Sequence, residues 1–482
     1  MSSITRFVSK PRPDVLAEQL VELPPELWRI VVEHLPFRDV LNFSMTCRAL
    51  RNVARPALFE TLAVTVVVGS KVDEMRRDPG GKIAHPLASS PEKLEFYASE
   101  HLAFAVKTCM VVLRSPYPLR EGDMKLIRQL FEALPAFTNL TRLSLTCVEL
   151  DPSIISRIRQ LSNLQNLTLD RCQLSSSGGD PFSPRVRPLS IPFLSILGRS
   201  HELFDAMRES QWALLDLLDP TRLRTLSVTM GRTIIASSFF SWTVPPICFF
   251  PNLTKLQISY ACISSPLIPH VLEKFPALEE LHLSGVRQKY PLFPSPVFVL
   301  PASVPRLHTY IGPDFCITAF AQCCIKKIVT TCGETTEHSD ATNLVSLFTQ
   351  LSHPEAVVSL EFSTYHLTEA LVSCIADLFG STLKKITMRI WTADVEGFPD
   401  ELFSHQKIME SLPPRLPSPL VDLEIRTQFA YLEDLNLDTL DVFVLALRER
   451  CRGIQRIAMA YKNDADGNEK TWRWSDGNAI RR

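Results

Sequence analysis

Histidines, cysteines and paired acids could carry nucleophilic, acid–base or metal chemistry, and in this 482-residue chain none of them falls into a working pattern. Tetrahedral zinc needs Cys or His ligands in closely spaced pairs. The twelve cysteines include no CxxC pair and no Cys/His set at that spacing. Cys323 and Cys324 are adjacent, which suits neither an ordinary disulfide nor a chelate. Most of the others lie inside apolar runs, where a reduced thiol packs as a small hydrophobe. Asp464 and Asp466 suggest a calcium loop at first sight. Registering that loop on Gly467 puts Lys462 at the first ligand position and Arg473 at the twelfth, which rules it out. The glycine-rich phosphate loop, the GxSxG elbow, the HExxH helix and the GxGxxG fingerprint are all absent. These readings imply no cofactor, no metal and no catalytic residue. Triads assemble from distant residues, so an enzyme on an unrecognised α/β fold stays as one alternative.

The polar residues that do recur at fixed spacing sit between leucines. In a strand, successive side chains alternate between faces, so each L-x-x-L-x-L run turns its leucines inward and its intervening residues outward. Arg142, Ser144 and Thr146 form one such row, then Asn166, Thr168 and Asp170, then Lys255, Gln257 and Ser259. His282 lies between Leu281 and Leu283, and later rows carry Lys327, then Ser359 and Glu361, then Lys385, Thr387 and Arg389, then Asp422, Glu424 and Arg426. The candidates for target binding are Arg142, Lys255, His282, Lys327, Lys385 and Arg389. Lys327, Lys385 and Arg389, with Glu361 among them, make a thin version of a phosphate-reading cluster. A solvated surface of mixed sign is the simpler reading.

The elements that must position these rows repeat. Leu164, Leu167, Leu169, Cys172 and Leu174 follow the pattern L-x-x-L-x-L-x-x-C-x-L, and Leu140, Leu143, Leu145, Leu150 and Leu253, Leu256, Ile258, Ile263 repeat it. Looser copies begin at Leu223, Leu278, Ile325, Val357, Leu383, Leu420 and Ile454. The steps from Leu140 to Leu164 and from Leu253 to Leu278 are 24 and 25 residues, inside the leucine-rich-repeat window. Amphipathic helical stretches lie between strands, at Leu371, Ile375, Leu378 and at Leu344, Leu347, Phe348. The expected fold is α/β, an irregular solenoid with parallel strands on the concave side and helices outside. Each unit would hide its apolar face only by stacking on its neighbours. The repeats are broken by a loop-like stretch at 175–188 and a helix near 202–218, and by proline-rich runs at 292–305 and 412–419. A hairpin is expected over 454–474, turning at Asp466-Gly467 with Trp472 and Trp474 on the return strand. Ordinary αβ packing without a repeat is the alternative. A Rossmann-like sheet would want longer apolar strands and a glycine fingerprint.

Residues 23–54 read LPPELWRIVVEHLPFRDVLNFSMTCRALRNVA. Pro24, Pro25 and Glu26 start a helix that Pro36 stops. Leu27, Ile30, Val31 and His34 share one face, and Trp28, Val32 and Leu35 share another. A helix apolar on both faces must be covered on both. A second helix should begin near Arg38 with Val40, Leu41 and Met45 for burial. A third should run from Cys47 to about Ala54, ending before Pro56, with Leu50 and Val53 inward and Arg48, Arg51 and Arg55 as a solvated stripe. Domains below roughly 40 residues rarely form a sufficient core. One side can pack on the chain that follows, and the other needs more of this protein or a second protein.

This segment resembles an F-box. The family pattern is an LPxE start followed by Ile or Leu, an Ile/Val/Leu-rich helix, an LPxxD turn followed by Leu or Val and then Leu, and a late Cys-Arg-x-Trp or Leu. Leu23 to Leu27, Leu35 to Leu41 and Cys47 to Leu50 answer each part in order. The family often has Trp where this chain has Leu50, a departure that would weaken binding without changing its mode. The resemblance implies docking on the Skp-type adaptor of a cullin–RING ubiquitin ligase, through Leu23, Pro24, Leu27, Ile30, Val31, Leu35, Leu41, Cys47 and Leu50. As a whole the chain resembles F-box proteins with divergent leucine-rich repeats of the fungal type. It would be the substrate-receptor subunit of an SCF-type ligase, reaching a cullin through the adaptor and holding a protein target of unknown identity. A binding scaffold without ubiquitination is the second reading, and helices that merely cap the repeats are the third.

Bulk composition allows a large core and does not read as disordered. Apolar residues make up 45% and charged residues 21%, so a large core is available. A net charge of −1 argues against a bulk electrostatic grip on nucleic acid or an anionic membrane. The apolar runs at 62–68 and 191–197 are too short to span a bilayer, and residues 1–14 hold no signal-peptide core. The expected organisation is a flexible tail at 1–19, an F-box domain at 20–58 and a repeat domain at 59–482. The expected location is cytoplasmic or nuclear.

Overall fold

The computed structural model describes residues 23–67, 91–114, 121–174, 188–198, 218–229, 250–259, 272, 274–284, 304–331, 341–365, 367–390, 412–427, 437–462, 469–475 and 478–481. The tail, most of the 175–188 stretch, the 202–218 helix, most of the 292–305 run and the Asp466-Gly467 turn lie outside them. The chain divides into two compact units, Met1–Leu194 with Ala213–Leu218, and Ser195–Trp212 with Asp219–Arg482.

The first unit opens with three helices, α1 (Pro25–His34), α2 (Phe37–Ser44) and α3 (Arg48–Leu58). Proline starts α1, where a missing N–H costs nothing, and Pro36 ends it. The helix α3 runs past Pro56, against the expectation that it stops there. The proline removes one backbone bond, yet Ala57 and Leu58 still pack on the three-helix core, and Phe59 N–H closes the end on Arg55 O at 3.1 Å. Only Phe59 and Glu60 separate α3 from the first strand, β1 (Thr61–Val67). Phe59 is gripped edge-on by Phe96 and Tyr97, with ring centroids 5.8 and 5.6 Å away. Burial pushes the Tyr97 phenol up to about 12.

After β1 come α4 (Pro91–Ala98), β2 (Thr108–Arg114), α5 (Glu121–Ala133), β3 (Arg142–Thr146), β4 (Glu149–Leu150), α6 (Pro152–Arg159), β5 (Asn166–Asp170) and β6 (Gln173–Leu174). The strand β7 (Phe193–Leu197) falls where the two units divide. Strands β1, β2, β3 and β5 pair in parallel in that order. Their register stacks Leu62, Cys109, Leu143 and Leu167 in one column and Val64, Val111, Leu145 and Leu169 in the next, all buried. The strands β1 and β2 lack the leucine pattern and went unrecognised in the sequence. The inward positions there are held by Leu62, Val64, Cys109, Val111 and Leu113.

The second unit holds β8 (Thr225–Thr229), β9 (Lys255–Ser259), β10 (Glu280–Ser284), β11 (Thr309–Pro313), β12 (Lys327–Thr331), α7 (Ala341–Phe348), β13 (Ser359–Thr364), α8 (Glu369–Phe379), β14 (Lys385–Ile390), β15 (Asp422–Thr427), α9 (Leu437–Arg450) and β16 (Arg456–Lys462). From β8 to β16 each strand pairs in parallel with the next. The chain then turns back through β17 (Glu469–Ser475) and β18 (Asn478–Arg481) in antiparallel pairing. One buried column runs Leu226, Leu256, Leu281, Tyr310, Ile328, Leu360, Ile386, Leu423 and Ile457. Burying one such side chain contributes about 1.5–3 kcal/mol relative to leaving it in water. This is a parallel-strand solenoid preceded by helices, as the leucine spacing implies.

Asparagines clamp successive turns of the solenoid. The side-chain amides of Asn139, Asn163 and Asn252 donate to Phe104 O, Thr138 O and Thr221 O at 2.8, 2.7 and 2.7 Å. Each sits one residue before the leucine that opens its repeat. A turn that would otherwise leave a carbonyl unpaired is thereby tied to the next one. Among the described residues no helix is long and apolar enough to cross a membrane.

Candidate interaction surfaces

The three N-terminal helices sort their apolar residues by face. Val32, Val40 and Ala54 form the buried centre, and Leu35, Phe43, Val53, Ala57 and Leu58 pack against it. The Trp28 ring meets Phe43 at a tilt, with centroids 5.3 Å apart. On the other face, Leu23, Leu27, Ile30, Val31, Leu41 and Met45 remain 40–64% exposed. Leu41 and Met45 were expected to be buried. They lie one turn apart on the side of α2 opposite Val40, Phe43 and Ser44, so burying one set leaves the other in solvent. The i, i+4 spacing of Leu41 and Met45 was the signal available in the sequence.

Not every residue nominated for adaptor contact lies on that face. Leu50 is buried at 3% exposure, and Leu35 is half-buried against the centre of the three helices. Cys47 caps α3, its sulfur accepting the Leu50 N–H at 3.5 Å. Pro24 O accepts the Leu27 N–H at 3.0 Å, which sets the first turn of α1. These four residues shape the surface. The exposed apolar area itself comes from α1, α2 and the residues at their ends. Arg48 and Arg51 are exposed, and Arg51 Nε donates to Ser44 O at 3.3 Å, tying α2 to α3.

The second surface is the sheet face opposite the buried columns. In the first unit Arg142 is exposed at the head of β3, in register with Thr108 and Asn166. In the second unit most nominated cations already hold a neighbouring strand's carboxylate. Lys255 Nζ meets Glu280 at 2.8 Å, Lys385 meets Asp422 at 3.6 Å, and Arg389 pairs with Glu361. Arg426 pairs with Glu424 at 2.6 Å, and Arg456 reaches both Asp422 and Glu424 at 2.8 and 3.3 Å. The cluster around Lys385 and Arg389 is therefore largely self-neutralised, which weakens the case for it as a phosphate reader. Such exposed pairs stabilise the fold by only about 0–1 kcal/mol each. What they fix is the position of the charges.

His282 sits in the middle row of this face, half-buried, with Nε2 3.8 Å from Glu280. Burial lowers its pKa from the ordinary histidine value, and Lys255 adds to the effect, against the opposite pull of Glu280. The lowering favours the neutral imidazole. Three buried thiols are quiet as well. Burial pushes Cys109, Cys172 and Cys316 up to about 12, so they stay protonated at neutral pH. Among the described residues no three His, Cys, Asp or Glu side chains gather where a metal ion could sit.

Comparison with known proteins agrees with the helical part of this picture. Residues 20–59 match the family model of the F-box domain, and this stretch is an F-box. The remainder is a leucine-rich-repeat-like solenoid by its own strand pattern. Among solved structures, an internalin (inlF) from Listeria monocytogenes is similar over 69% of this chain and 82% of its own, at 15% identity and a TM-score of 0.34. A TLR13–ssRNA13 complex is similar over 74% of this chain and 42% of its own, at 14% identity and a TM-score of 0.32. No curated protein matches the chain. An F-box joined to a repeat solenoid of this kind is the make-up of a protein-interaction adaptor.

Proposed function

We propose that this chain is the substrate-receptor subunit of an SCF-type cullin–RING ubiquitin ligase. The observation that carries the reading is the exposed apolar face of the F-box, built from Leu23, Leu27, Ile30, Val31, Leu41 and Met45. Aliphatic side chains gathered on one face of so small a unit favour burial against a partner, and by family resemblance that partner is a Skp-type adaptor. The adaptor joins the chain to a cullin, and the open sheet face of the repeats holds a protein target. No residue of this chain then performs chemistry. The rate gain comes from holding the target at high effective concentration beside an active site on other subunits.

The test is a bridging assay with purified components. Immobilised full-length protein should retain a cullin only when the Skp adaptor is present. Retention of the adaptor without the cullin would leave a binding scaffold with no role in ubiquitination. Retention of neither by folded protein would remove the reading altogether.

A further inference from the structure

In the second unit the residue before each strand joins the sheet through its backbone. From β11 to β15 these residues are His308, Lys326, Val358, Lys384 and Val421, each N–H bonded to the carbonyl of the one before, at 2.8, 2.8, 2.9 and 2.8 Å. The strand heads form the next row, Thr309, Lys327, Ser359, Lys385 and Asp422. Over β12, β13 and β14 the two rows therefore hold four lysines around Val358 and Ser359, and no acid. Lys326, Lys327 and Lys384 are exposed, and Val358 between them is 37% exposed. The acids nearby are engaged: Glu355 with His353 at 3.2 Å, Glu361 with Arg389, and Asp422 with Lys385 at 3.6 Å and Arg456 at 2.8 Å.

Strands lie about 4.8 Å apart, so the lysine columns of β12 and β14 stand about 10 Å from each other with Val358 midway. Like charges gathered this closely repel one another, and an anionic partner relieves that repulsion. We propose that this edge of the sheet, Lys326, Lys327, Val358, Lys384 and Lys385, takes an acidic protein segment, one apolar side chain seated on Val358 and a carboxylate on either side of it. An extended segment running across the strands meets these terms with an apolar residue at i+2 and Asp or Glu at i and i+4, all on one face, the two acids about 13 Å apart. The flexible lysine stems splay to close the difference from the column spacing. The complementarity is of point charges, since lysine lacks the planar fork that reads a carboxylate or phosphate bidentately. The proposal rests on the repeats being the target-holding part of the chain.

The experiment is selection of a phage-displayed 12-residue peptide library on immobilised full-length protein. Enriched peptides should carry Asp or Glu on both sides of a Leu, Ile, Val, Phe or Met. A synthetic peptide from that set should lose at least tenfold in affinity with the double variant Lys326→Glu, Lys384→Glu, and also with Val358→Asp. Its counterpart with Lys in place of the acids should bind the double variant instead. All three side chains are exposed, so these variants should melt with the wild type. Lys125→Glu, Arg157→Glu makes the same change of net charge at exposed cations of the first unit and should leave affinity within twofold. No such pattern among enriched peptides, equal binding by wild type and Lys326→Glu, Lys384→Glu, or an equal loss in the first-unit variant overturns the proposal. Single-stranded RNA held by the wild type and released by the double variant, with no peptide enriched, would also overturn it and give the edge to nucleic acid. The same preparations are tested for Skp adaptor binding. Adaptor binding without peptide selection refutes this inference alone, and peptide selection without adaptor binding refutes the ligase reading alone.

Discussion

Replacing Gly312 by alanine tests how the solenoid tolerates a break in its own pattern. At β11 the inward pair is Tyr310 and Gly312, where neighbouring β10 has Leu281 and Leu283. Tyr310 is fully buried and its hydroxyl donates to Pro313 O at 2.6 Å. A Cβ on residue 312 would lie 2.6 Å from the Tyr310 hydroxyl oxygen, 2.9 Å from its ring carbon and 3.1 Å from Leu283 Cβ. The glycine is therefore there for space, since its φ is not in the left-handed region. Overpacking a core typically costs about 1–3 kcal/mol, and losing the phenol's hydrogen bond adds about 1 kcal/mol. Gly312→Ala should destabilise by about 2–4 kcal/mol in urea unfolding followed by far-UV circular dichroism. The double variant Tyr310→Leu, Gly312→Leu restores the repeat pattern and should recover most of that loss. A cost below about 0.5 kcal/mol for Gly312→Ala, or no recovery in the double variant, would refute the reasoning.

Three smaller perturbations test other parts of the structure. Asn252→Ala removes the 2.7 Å bond to Thr221 O and should cost about 1 kcal/mol in the same unfolding experiment. Thr330→Val should stabilise by about 1 kcal/mol, because the buried Thr330 hydroxyl has no hydrogen-bond partner among the described residues. In NMR titration, His282 should lose its proton below the ordinary histidine pKa of 6.5. Its folded pKa lies under the unfolded one, so the unfolded chain binds more protons and this group's contribution to stability falls as pH drops through 6.5. Lys255→Met removes one of the lowering influences and should move the titration upward.

The sequence made the inward columns readable because a leucine at every second strand position is a strong periodic signal. Leu226, Leu281, Leu360 and Ile386 could be placed from spacing alone. The two faces of α1 were legible for the same reason, with period 3.6 separating Leu27, Ile30 and Val31 from Trp28 and Val32. The misassigned residues lay where the period was short or broken. The helix α2 spans only Phe37–Ser44, so the single i, i+4 pair Leu41 and Met45 was the one cue to which of Val40 and Leu41 goes inside. Tyr310 and Gly312 hid β11, because large and small residues there replace two leucines. The ion pairs of Lys255, Lys385 and Arg389 could not be read at all. Each depends on which strand lies alongside, and irregular steps such as the 59 residues from Leu164 to Leu223 conceal that register.

The central claim is that the outer face of the F-box docks an adaptor, and the affinity of purified Skp adaptor for the full-length protein tests it most directly. Wild type is compared by interferometry with Ile30→Asp, Leu41→Asp, a pair chosen because both side chains are exposed and the fold does not need them. Burying two unpaired carboxylates in an apolar contact should cost at least ~3 kcal/mol, a loss of about a hundredfold or more. Saturable wild-type binding with that loss, at unchanged melting temperature, is the expected result. Equal binding by both proteins, or no binding by folded wild type, would contradict the claim.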